Sequence, residues 1–348
     1  MSLNVNRRLP YVRLGKSGLK VSRIILGCMS YGTAEWQPWV LGEEEGIAQI
    51  KFAYENGIQT FDTANVYSNG ASEIILGKAI KQLNLPREEI VVMTKLHFPV
   101  SRSPGERLWG STDADSLGYV NQYGQSRKHI FDSVQHSLKR LQLDYIDVLQ
   151  CHRFDNETPV EEVMQALHDV VQKGWVRYIG MSSCWAWQFH QMQNYAINNR
   201  LTPFISMQNH YNLIYREEER EMMPTLKHFG VSSIPWSPLA RGALTRPLGE
   251  RTIRADSDTW HDDYLKEPGN QEIVKRVEEL AKKRNLSMAQ ISLVWTLSKD
   301  VVTAPIIGTT SLDKLKELID AAVDVKLSGE EIKHLEEPYK PMPVIGHW

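Results

Sequence analysis

Short apolar runs rich in β-branched residues alternate along the chain with longer segments in which apolar residues recur at helical spacing. Runs of the first kind predict strands, and segments of the second kind predict amphipathic helices. This alternation is typical of parallel βα units rather than of separate helical and strand domains. We predict eight strands, at Arg23–Cys28, Ile58–Asp62, Ile90–Lys95, Tyr145–His152, Val176–Ser182, Phe204–Gln208, Val231–Trp236 and Val301–Ile307.

Several helices carry start signals. The segment Thr158–Glu161 places a threonine cap before a proline at the first helical position and a glutamate at the third. Such a cap satisfies backbone N–H groups that the first turn leaves without partners. Ser287–Gln290 and Ser328–Glu331 repeat the spacing, and each predicts the start of a helix. After the eighth strand, one apolar stripe predicts a further helix, and it consists of Leu312, Leu315, Ile319 and Ala322.

Eight βα units close naturally into a (β/α)8 TIM barrel, an α/β fold. A doubly wound sheet would usually have fewer strands and a glycine-rich first turn, and no G-x-G-x-x-G follows any predicted strand. Tyr11–Val21 predicts an N-terminal hairpin that could plug the bottom of the barrel. Leu96–Gln125 and Pro238–Asn270 are unusually long connections, and in a barrel such loops lie over the active-site face at the carboxyl ends of the strands.

The chain has 348 residues, which suits one large domain because α/β barrels commonly run to about 250 residues or more. We expect a single domain over residues 1–348, with the barrel core at 11–323 and a C-terminal helix and tail at 324–348. Lys and Arg number 40 against 42 Asp and Glu, a net charge of −2. A nucleic-acid partner is not expected, because phosphate contacts need a basic surface.

No run of about 18 apolar residues occurs, and the N-terminal segment lacks an apolar stretch after its arginines. We therefore expect no membrane association and a cytoplasmic location. The three cysteines, Cys28, Cys151 and Cys184, show no C-x-x-C spacing and adjoin apolar runs, so they predict buried packing rather than a disulfide framework. No spacing of histidines, cysteines or carboxylates suggests a metal site.

Four polar residues fall at or just after the carboxyl ends of the second, third and fourth predicted strands. Singly, they would suit a helix cap, a loop aromatic, a solvated strand end and a core histidine. At one barrel mouth, however, a carboxylate, a phenol, an ammonium and an imidazole form a proton-transfer set. These candidate catalytic residues are Asp62, Tyr67, Lys95 and His152.

The segments around these residues resemble the aldo-keto reductase family. Phe61–Tyr67 followed by Ser72–Gly77 resembles the family signature, and the resemblance extends from about residue 11 to 323. Within the family, the chain is most similar to the fungal aryl-alcohol-dehydrogenase-like members, to which Cys28–Gly32 and Glu336–Pro341 correspond. The other matching segments are Gly15–Ser22, Cys28–Gly32, Thr94-Lys95, Gln150–His152, Trp236–Gly242 and Glu336–Pro341.

The resemblance implies an enzyme that reduces a carbonyl group with hydride from a nicotinamide cofactor. A carbonyl oxygen gains negative charge as hydride arrives, so a proton donor must stand within hydrogen-bond reach, and Tyr67 fills that role. A neighbouring ammonium should bring the phenol pKa closer to neutral pH, and Lys95, held by Asp62, supplies it. His152 would orient the substrate oxygen and polarise the carbonyl.

The resemblance also implies a cofactor site. The nicotinamide amide would be held by Ser182, Ser183 and Gln208, with its ring stacked on Trp236. A turn would line the pyrophosphate, and the segment after the eighth strand would meet the adenosine side. These further cofactor-binding residues are Ser237, Leu239, Arg241, Gly308, Thr310, Lys314 and Glu317.

This chain departs from the family pattern at two cofactor positions. Members commonly carry asparagine in the places of Ser183 and Leu318, so one carboxamide contact is shortened and one expected hydrogen bond to adenine is removed. NADPH is the expected cofactor, because the family mostly prefers it and Lys314 could meet a 2′-phosphate.

Aromatic residues in the loops predict an apolar slot suited to aryl or alkyl carbonyl substrates. The candidates near the mouth of the barrel are Tyr31, Phe98, Trp109 and Trp260. The alternative function is a regulatory subunit that binds the cofactor without turnover, similar to the channel-associated β subunits. In those proteins the place of His152 typically holds asparagine, so His152 favours an enzyme.

Overall fold

The computed structural model describes residues 8–108, 114–251, 256–257 and 259–347. The strands in this part of the chain are β1 (Tyr11–Arg13), β2 (Lys20–Ser22), β3 (Ile25–Gly27), β4 (Thr60–Asp62), β5 (Val91–Leu96), β6 (Ile146–Cys151), β7 (Val176–Ser182), β8 (Phe204–Gln208), β9 (Ser232–Ser233) and β10 (Ile306–Ile307). The helices are α1 (Glu43–Glu55), α2 (Ala71–Gln82), α3 (Arg127–Leu141), α4 (Val160–Gln172), α5 (Ala186–Asn198), α6 (Met222–Phe229), α7 (Thr259–Leu265), α8 (Pro268–Arg284), α9 (Met288–Leu297), α10 (Leu312–Asp324) and α11 (Gly329–Glu336).

Eight of these strands form one parallel sheet, in the order β10-β3-β4-β5-β6-β7-β8-β9. Backbone bonds join its two outer strands. Thr303 N donates to Ser233 O at 2.8 Å. Ile306 N donates to Pro235 O at 2.9 Å. The sheet therefore curls into the predicted (β/α)8 barrel. Its strands lie within the predicted segments, except that β5 extends one residue further, to Leu96, and β9 and β10 are only two residues long.

The N-terminal hairpin is also confirmed. β1 and β2 pair antiparallel, with Val12 opposite Val21. Leu14 and Val21 are fully buried in one cluster with Ile25, Met93 and other barrel residues, including Ile234. Because these side chains come from several strands, the hairpin covers one end of the barrel interior.

Two of the three predicted helix caps are confirmed, and one is wrong. Ser287 and Ser328 both form capping boxes, at the starts of α9 and α11. The prediction for Thr158 is wrong, because its hydroxyl donates to Asp155 Oδ2 at 2.7 Å and α4 begins at Val160 without a side-chain cap. A nearby carboxylate competes successfully for the hydroxyl that would have capped the helix.

The start of α2 is held by a buried ion pair. Glu73 is fully buried, and its Oε2 accepts from Arg140 Nε at 2.5 Å, while its Oε1 accepts from Thr94 Oγ1 at 2.6 Å. One turn later, a Cβ on Gly77 would lie 2.4 Å from the carbonyl oxygen of Leu141. Both features bring α2 and α3 into close contact beside β5.

The three cysteines are free and buried, as expected. Burial raises the pKa of each thiol, which suits packing rather than thiol chemistry. Within the described ranges, no helix has the length and apolar character needed to span a bilayer.

We predict that Gly77→Ala destabilises the protein, although alanine is the better helix former by about 1 kcal/mol. The added Cβ would meet a backbone carbonyl, which cannot move without displacing α3, and such overpacking typically costs about 1–3 kcal/mol. Thermal unfolding should show a lower midpoint than the parent. Gly18→Ala is the control, because a Cβ there meets nothing within 4 Å. Equal midpoints for Gly77→Ala and the parent would contradict the close approach.

Candidate active site

The four candidate catalytic residues meet at one rim of the barrel. Asp62 ends β4, Lys95 lies near the end of β5, and His152 follows β6 directly. Neighbouring parallel strands end at the same rim, so these side chains converge. Tyr67 begins a short 3₁₀ helix that links β4 to α2, and this link brings its ring over the same rim. The predicted assembly of the four residues is present in the structure.

Lys95 is the centre of this assembly. Its side chain is completely buried, and its Nζ donates to Asp62 Oδ2 at 2.5 Å and to Thr63 O at 2.8 Å. The third bond joins Nζ to the hydroxyl of Tyr67 at 3.2 Å. An ammonium has three donors, and all three are used. The buried charge is therefore both neutralised and fully hydrogen-bonded.

The carboxylate of Asp62 is satisfied as completely as the ammonium. Its Oδ1 accepts from Gln150 Nε2 at 2.8 Å and from Gln208 Nε2 at 2.9 Å. Gln208 thus supports Asp62 with its amide nitrogen, and its own Oε1 is the atom that could accept a bond from a ligand amide. Gln150 was not predicted as a site residue, although the segment Gln150–His152 resembles the family.

Burial and the neighbouring positive charge shift the pKa of the Tyr67 hydroxyl in opposite directions. Burial raises the pKa of its hydroxyl, and the Lys95 charge lowers it by less, so that the net direction is upward. The Lys95 charge therefore acts in the expected direction, but burial outweighs it and keeps the pKa of Tyr67 above its ordinary value. Burial by itself would lower the pKa of Lys95, but the neighbouring Asp62 and Tyr67 outweigh burial and raise it. Lys95 remains a cation and Tyr67 remains a protonated phenol at neutral pH.

His152 is a neutral ring. Burial lowers the pKa of His152 well below its usual range, and the charges of Arg153 and Lys95 lower it further. The imidazole lies edge-on to the ring of Tyr67, at 5.8 Å between centroids, and edge-on to Phe98, at 5.1 Å. Its Nδ1 has no hydrogen-bond partner among the described residues. A neutral imidazole can donate one hydrogen bond to an oxygen held beside Tyr67.

A cavity of about 850 Å³ opens above these residues and runs across the mouth of the barrel. Asp62, Tyr67 and His152 line one part of it. Its lining also includes ten of the eleven residues that the resemblance assigned to the cofactor, namely Ser182, Gln208, Trp236, Ser237, Leu239, Arg241, Gly308, Thr310, Lys314 and Glu317. Ser183, the eleventh, is buried behind them, and its hydroxyl accepts from Trp236 Nε1 at 3.1 Å.

The cavity combines an aromatic surface with a turn that suits phosphate groups, so it fits an elongated anionic ligand that carries a flat ring. Trp236 is only partly buried and lines the same cavity as Asp62, Tyr67 and His152. Beyond it, the turn at residues 237–242 contains three non-glycine residues with positive φ, Ser237, Ala240 and Arg241. Such turns expose backbone N–H groups, and an arginine beside them adds a cation, which together suit phosphate oxygens. These residues therefore fit a dinucleotide.

The two departures from the family pattern have different consequences. Leu318 lines the cavity and is 2% exposed, so it offers only an apolar contact near Lys314 and Glu317. Ser183 instead keeps a structural bond, because it fixes the indole edge of Trp236. The shorter side chain is therefore used to hold the aromatic platform.

The predicted substrate residues are less well placed. Tyr31 is fully buried in the main core and is not among the cavity-lining residues. Phe98 packs against His152, and Trp260 lies 6.0 Å from Trp236 between ring centroids, but neither is among the residues that line the cavity. Trp109 lies outside the described residues. Sequence reasoning missed the loop after β3, which lines the cavity with Met29, Ser30, Pro38, Trp39, Val40 and Leu41, and it also missed Arg153.

Arg153 directly follows His152 in the sequence, and this position is the signal that could have indicated a site residue. It is buried, lines the cavity, and donates from Nη1 to the carbonyl oxygen of His152 at 2.6 Å. Burial lowers the pKa of Arg153 to about 10, so the guanidinium is still charged at neutral pH. In the described part of the chain, no group of three histidine, cysteine, aspartate or glutamate side chains is placed to hold a metal ion.

Comparison with known proteins agrees with this geometry. A family model described as Aldo/keto reductase family matches residues 23–340. The chain is 50% identical over 341 residues to the versiconal hemiacetal acetate reductase of Aspergillus parasiticus, which covers 97% of this chain and 98% of that protein. It is 51% identical over 346 residues to the "Putative aryl-alcohol dehydrogenase C977.14c" of Schizosaccharomyces pombe, with 97% of each chain covered. It is 48% identical over 349 residues to aldo-keto reductase AFTS1 of Alternaria alternata, covering 98% of this chain and 94% of that protein.

We predict that stability falls in mild acid because of two histidines near the site, the buried His129 and the half-buried His97. Burial lowers the pKa of His97 and of His129 to about 4, below the usual value of about 6.5 that applies in the unfolded chain. As the pH falls from about 6.5 to about 4, the unfolded chain binds protons that the folded protein does not. The free energy of unfolding should therefore decrease by about 1.4 kcal/mol per pH unit for each such histidine.

Urea unfolding at several pH values would measure this slope. His129→Gln should make the slope shallower, whereas Gln135→Ala, at an exposed position of the same helix, should leave it unchanged. An identical slope in His129→Gln and the parent would show that His129 does not carry this pH dependence.

Proposed function

Because the chain belongs to the aldo/keto reductase family, whose members are oxidoreductases that act on carbonyl groups, we propose that it is an NADPH-dependent aldehyde or ketone reductase. We propose that its substrates are aromatic or other apolar carbonyl compounds. The observation that carries the proposal is the set of bonds from Lys95 Nζ to Asp62 and Tyr67, at one end of a cavity that fits a dinucleotide.

Tyr67 is the proton donor in this proposal. As negative charge develops on the carbonyl oxygen, the phenol gives up its proton, and the ammonium of Lys95, 3.2 Å away, stabilises the phenolate that remains. Asp62 keeps the ammonium in place through its 2.5 Å bond. His152, as a neutral ring, donates a hydrogen bond to the same substrate oxygen and orients it.

The direction of the Tyr67 pKa favours reduction. Burial keeps the hydroxyl protonated at neutral pH, and a protonated phenol is the form that can serve as an acid. Alcohol oxidation needs the phenolate instead, so we expect oxidation to gain relative to reduction as the pH rises.

NADPH would be held along the cavity by this chain's own groups. When bound, it supplies the hydride that no side chain can deliver. Trp236 offers a flat surface beside the catalytic rim, Ser182 and Gln208 offer polar atoms next to it, and Arg241 offers a cation at the turn that follows. Lys314 also lines the cavity, and in this proposal its ammonium meets the 2′-phosphate. This placement supports NADPH over NADH.

An apolar substrate fits the wall beside Tyr67. Phe98 and Tyr67 belong to one apolar cluster, which Met29 and Trp39 extend towards the cavity. The relatives named for versiconal hemiacetal acetate and for aryl alcohols support the same substrate class. Aromatic faces and a thioether bind flat or irregular apolar groups well, whereas charged substrates would lose solvation there.

We predict that Tyr67→Phe abolishes carbonyl reduction but keeps NADPH affinity within about twofold. The change removes the proton donor and leaves Trp236 and the turn that follows it intact. Isothermal titration with NADPH and single-turnover hydride transfer to an aromatic aldehyde would measure the two properties. The control is Tyr195→Phe, which removes a hydroxyl on α5, away from the cavity-lining residues. Near-parental turnover in Tyr67→Phe would falsify the assigned role and favour a regulatory subunit or another acid.

We predict that NADPH binds at least about tenfold more tightly than NADH, since a charge-assisted bond to phosphate is typically worth about 1.5–3 kcal/mol. Lys314→Met should remove most of this preference by weakening NADPH binding alone. Lys316→Met is a matched control on α10, because Lys316 is exposed and pairs with Asp320 at 2.5 Å. Equal dissociation constants for the two cofactors in the parent would exclude Lys314 from the 2′-phosphate site.

A further inference from the structure

Trp236 is the outermost ring of a column of three stacked rings. His210 lies parallel to Trp236, with ring centroids 4.1 Å apart and planes inclined by 9°. Tyr215 covers the other face of His210 at 4.0 Å and 13°. Both His210 and Tyr215 are completely buried. One face of the indole is therefore occupied, and Trp236 can offer a flat ligand only the opposite face.

The backbone sets this column. His210 and Trp236 form a parallel bridge beyond the ends of β8 and β9, and Trp236 N donates to Asn209 O at 2.9 Å. Residues paired in this way carry their side chains on the same face of the sheet, so the two rings stack where the barrel opens. Ser183 fixes the indole from its edge through the bond to Nε1.

His210 also connects Trp236 to the long loop after β9. Its Nε2 is hydrogen-bonded to the hydroxyl of Tyr264, which lies in α7. Asn270 donates to the carbonyl oxygen of Tyr264 at 2.8 Å and so anchors the end of that loop. Burial lowers the pKa of His210 well below its usual range, and the charge of Arg241 lowers it further, so His210 presents a neutral ring to the indole.

We propose that His210 is a positioning residue for the nicotinamide ring, because it holds Trp236 in the plane on which that ring stacks. This inference rests on the proposed function, in which the nicotinamide lies on Trp236. Without a flat ring behind it, the indole would regain rotational freedom, and ligand binding would have to bear the cost of ordering it. A neutral ring also places no repelling charge behind the nicotinamide cation of the oxidised cofactor.

The test compares two probes that differ only in the nicotinamide. His210→Leu removes the stacked ring at similar volume and should weaken NADP⁺ binding about five- to tenfold in isothermal titration. Binding of 2′-phospho-ADP-ribose, which lacks the nicotinamide, should stay within twofold of the parent. His210→Phe restores a flat ring and should return NADP⁺ affinity to within about twofold. Tyr264→Phe, which removes only the hydrogen bond, should leave both affinities nearly unchanged.

Any of the following results would overturn the inference that His210 positions the nicotinamide ring. Equal weakening of both probes by His210→Leu would show a general structural role, and no weakening would show no role. Failure of His210→Phe to restore NADP⁺ affinity, or a loss in Tyr264→Phe as large as in His210→Leu, would exclude stacking as the cause. If His210→Leu does not fold, Tyr215→Leu shortens the column at its far end and should weaken NADP⁺ selectively in the same comparison.

Trp236→Leu separates this inference from the proposed function. If it leaves NADP⁺ affinity equal to that of the parent, the nicotinamide does not stack on Trp236, and the proposed cofactor site itself is wrong. If Trp236→Leu weakens NADP⁺ alone while His210→Leu does not, the proposed site is supported and only the role of His210 fails.

Discussion

The buried ammonium of Lys95 is the constraint on which the site depends. A charge with no exposure to water is costly unless it is paired and fully hydrogen-bonded. Lys95 meets this condition with Asp62, the Thr63 carbonyl and the Tyr67 hydroxyl. Asp62 in turn needs two amides, which reach it from Gln150 on β6 and Gln208 on β8. The requirements of one charge therefore fix side chains on four strands of the barrel and on the loop that carries Tyr67.

The same burial explains why the ionisation states differ around the site. Low solvent access raises the pKa of the Tyr67 phenol and lowers that of the His152 imidazole, and the Lys95 charge offsets the first effect but adds to the second. Both rings are therefore neutral hydrogen-bond donors beside a permanent cation. This state suits the donation of a proton to an oxygen that becomes negatively charged, because the cation stabilises the phenolate only after the transfer.

The strands and the convergence of the candidate catalytic residues could be predicted from the sequence because both follow from simple patterns along the chain. Apolar runs define the strands, and parallel strands bring residues such as Asp62 and Lys95 at their ends to one rim. The cap of α4 was wrongly predicted because two local interactions compete for the Thr158 hydroxyl, and the carboxylate of Asp155, three residues earlier, takes it. The walls of the cavity could not be predicted because they depend on how the loop after β3 packs, which places Tyr31 in the core and Trp39 in the cavity wall.

The segment from Phe61 to Gly77, which resembles the family signature, contains both candidate catalytic residues and residues that pack the start of α2. Its first part carries Asp62 and Tyr67, whereas its second part, at the start of α2, is held by the buried Glu73 pair and by the bond from Ser72 Oγ to Cys28 O at 2.7 Å. Between Tyr67 and Ser72, the chain adopts positive φ at Ser68 and Asn69, at 46° and 51°. Non-glycine residues in this conformation are strained and need support at both sides. The tightly packed start of α2 therefore helps to keep Tyr67 over Lys95, so that residues without a proposed chemical role determine where the proposed proton donor stands.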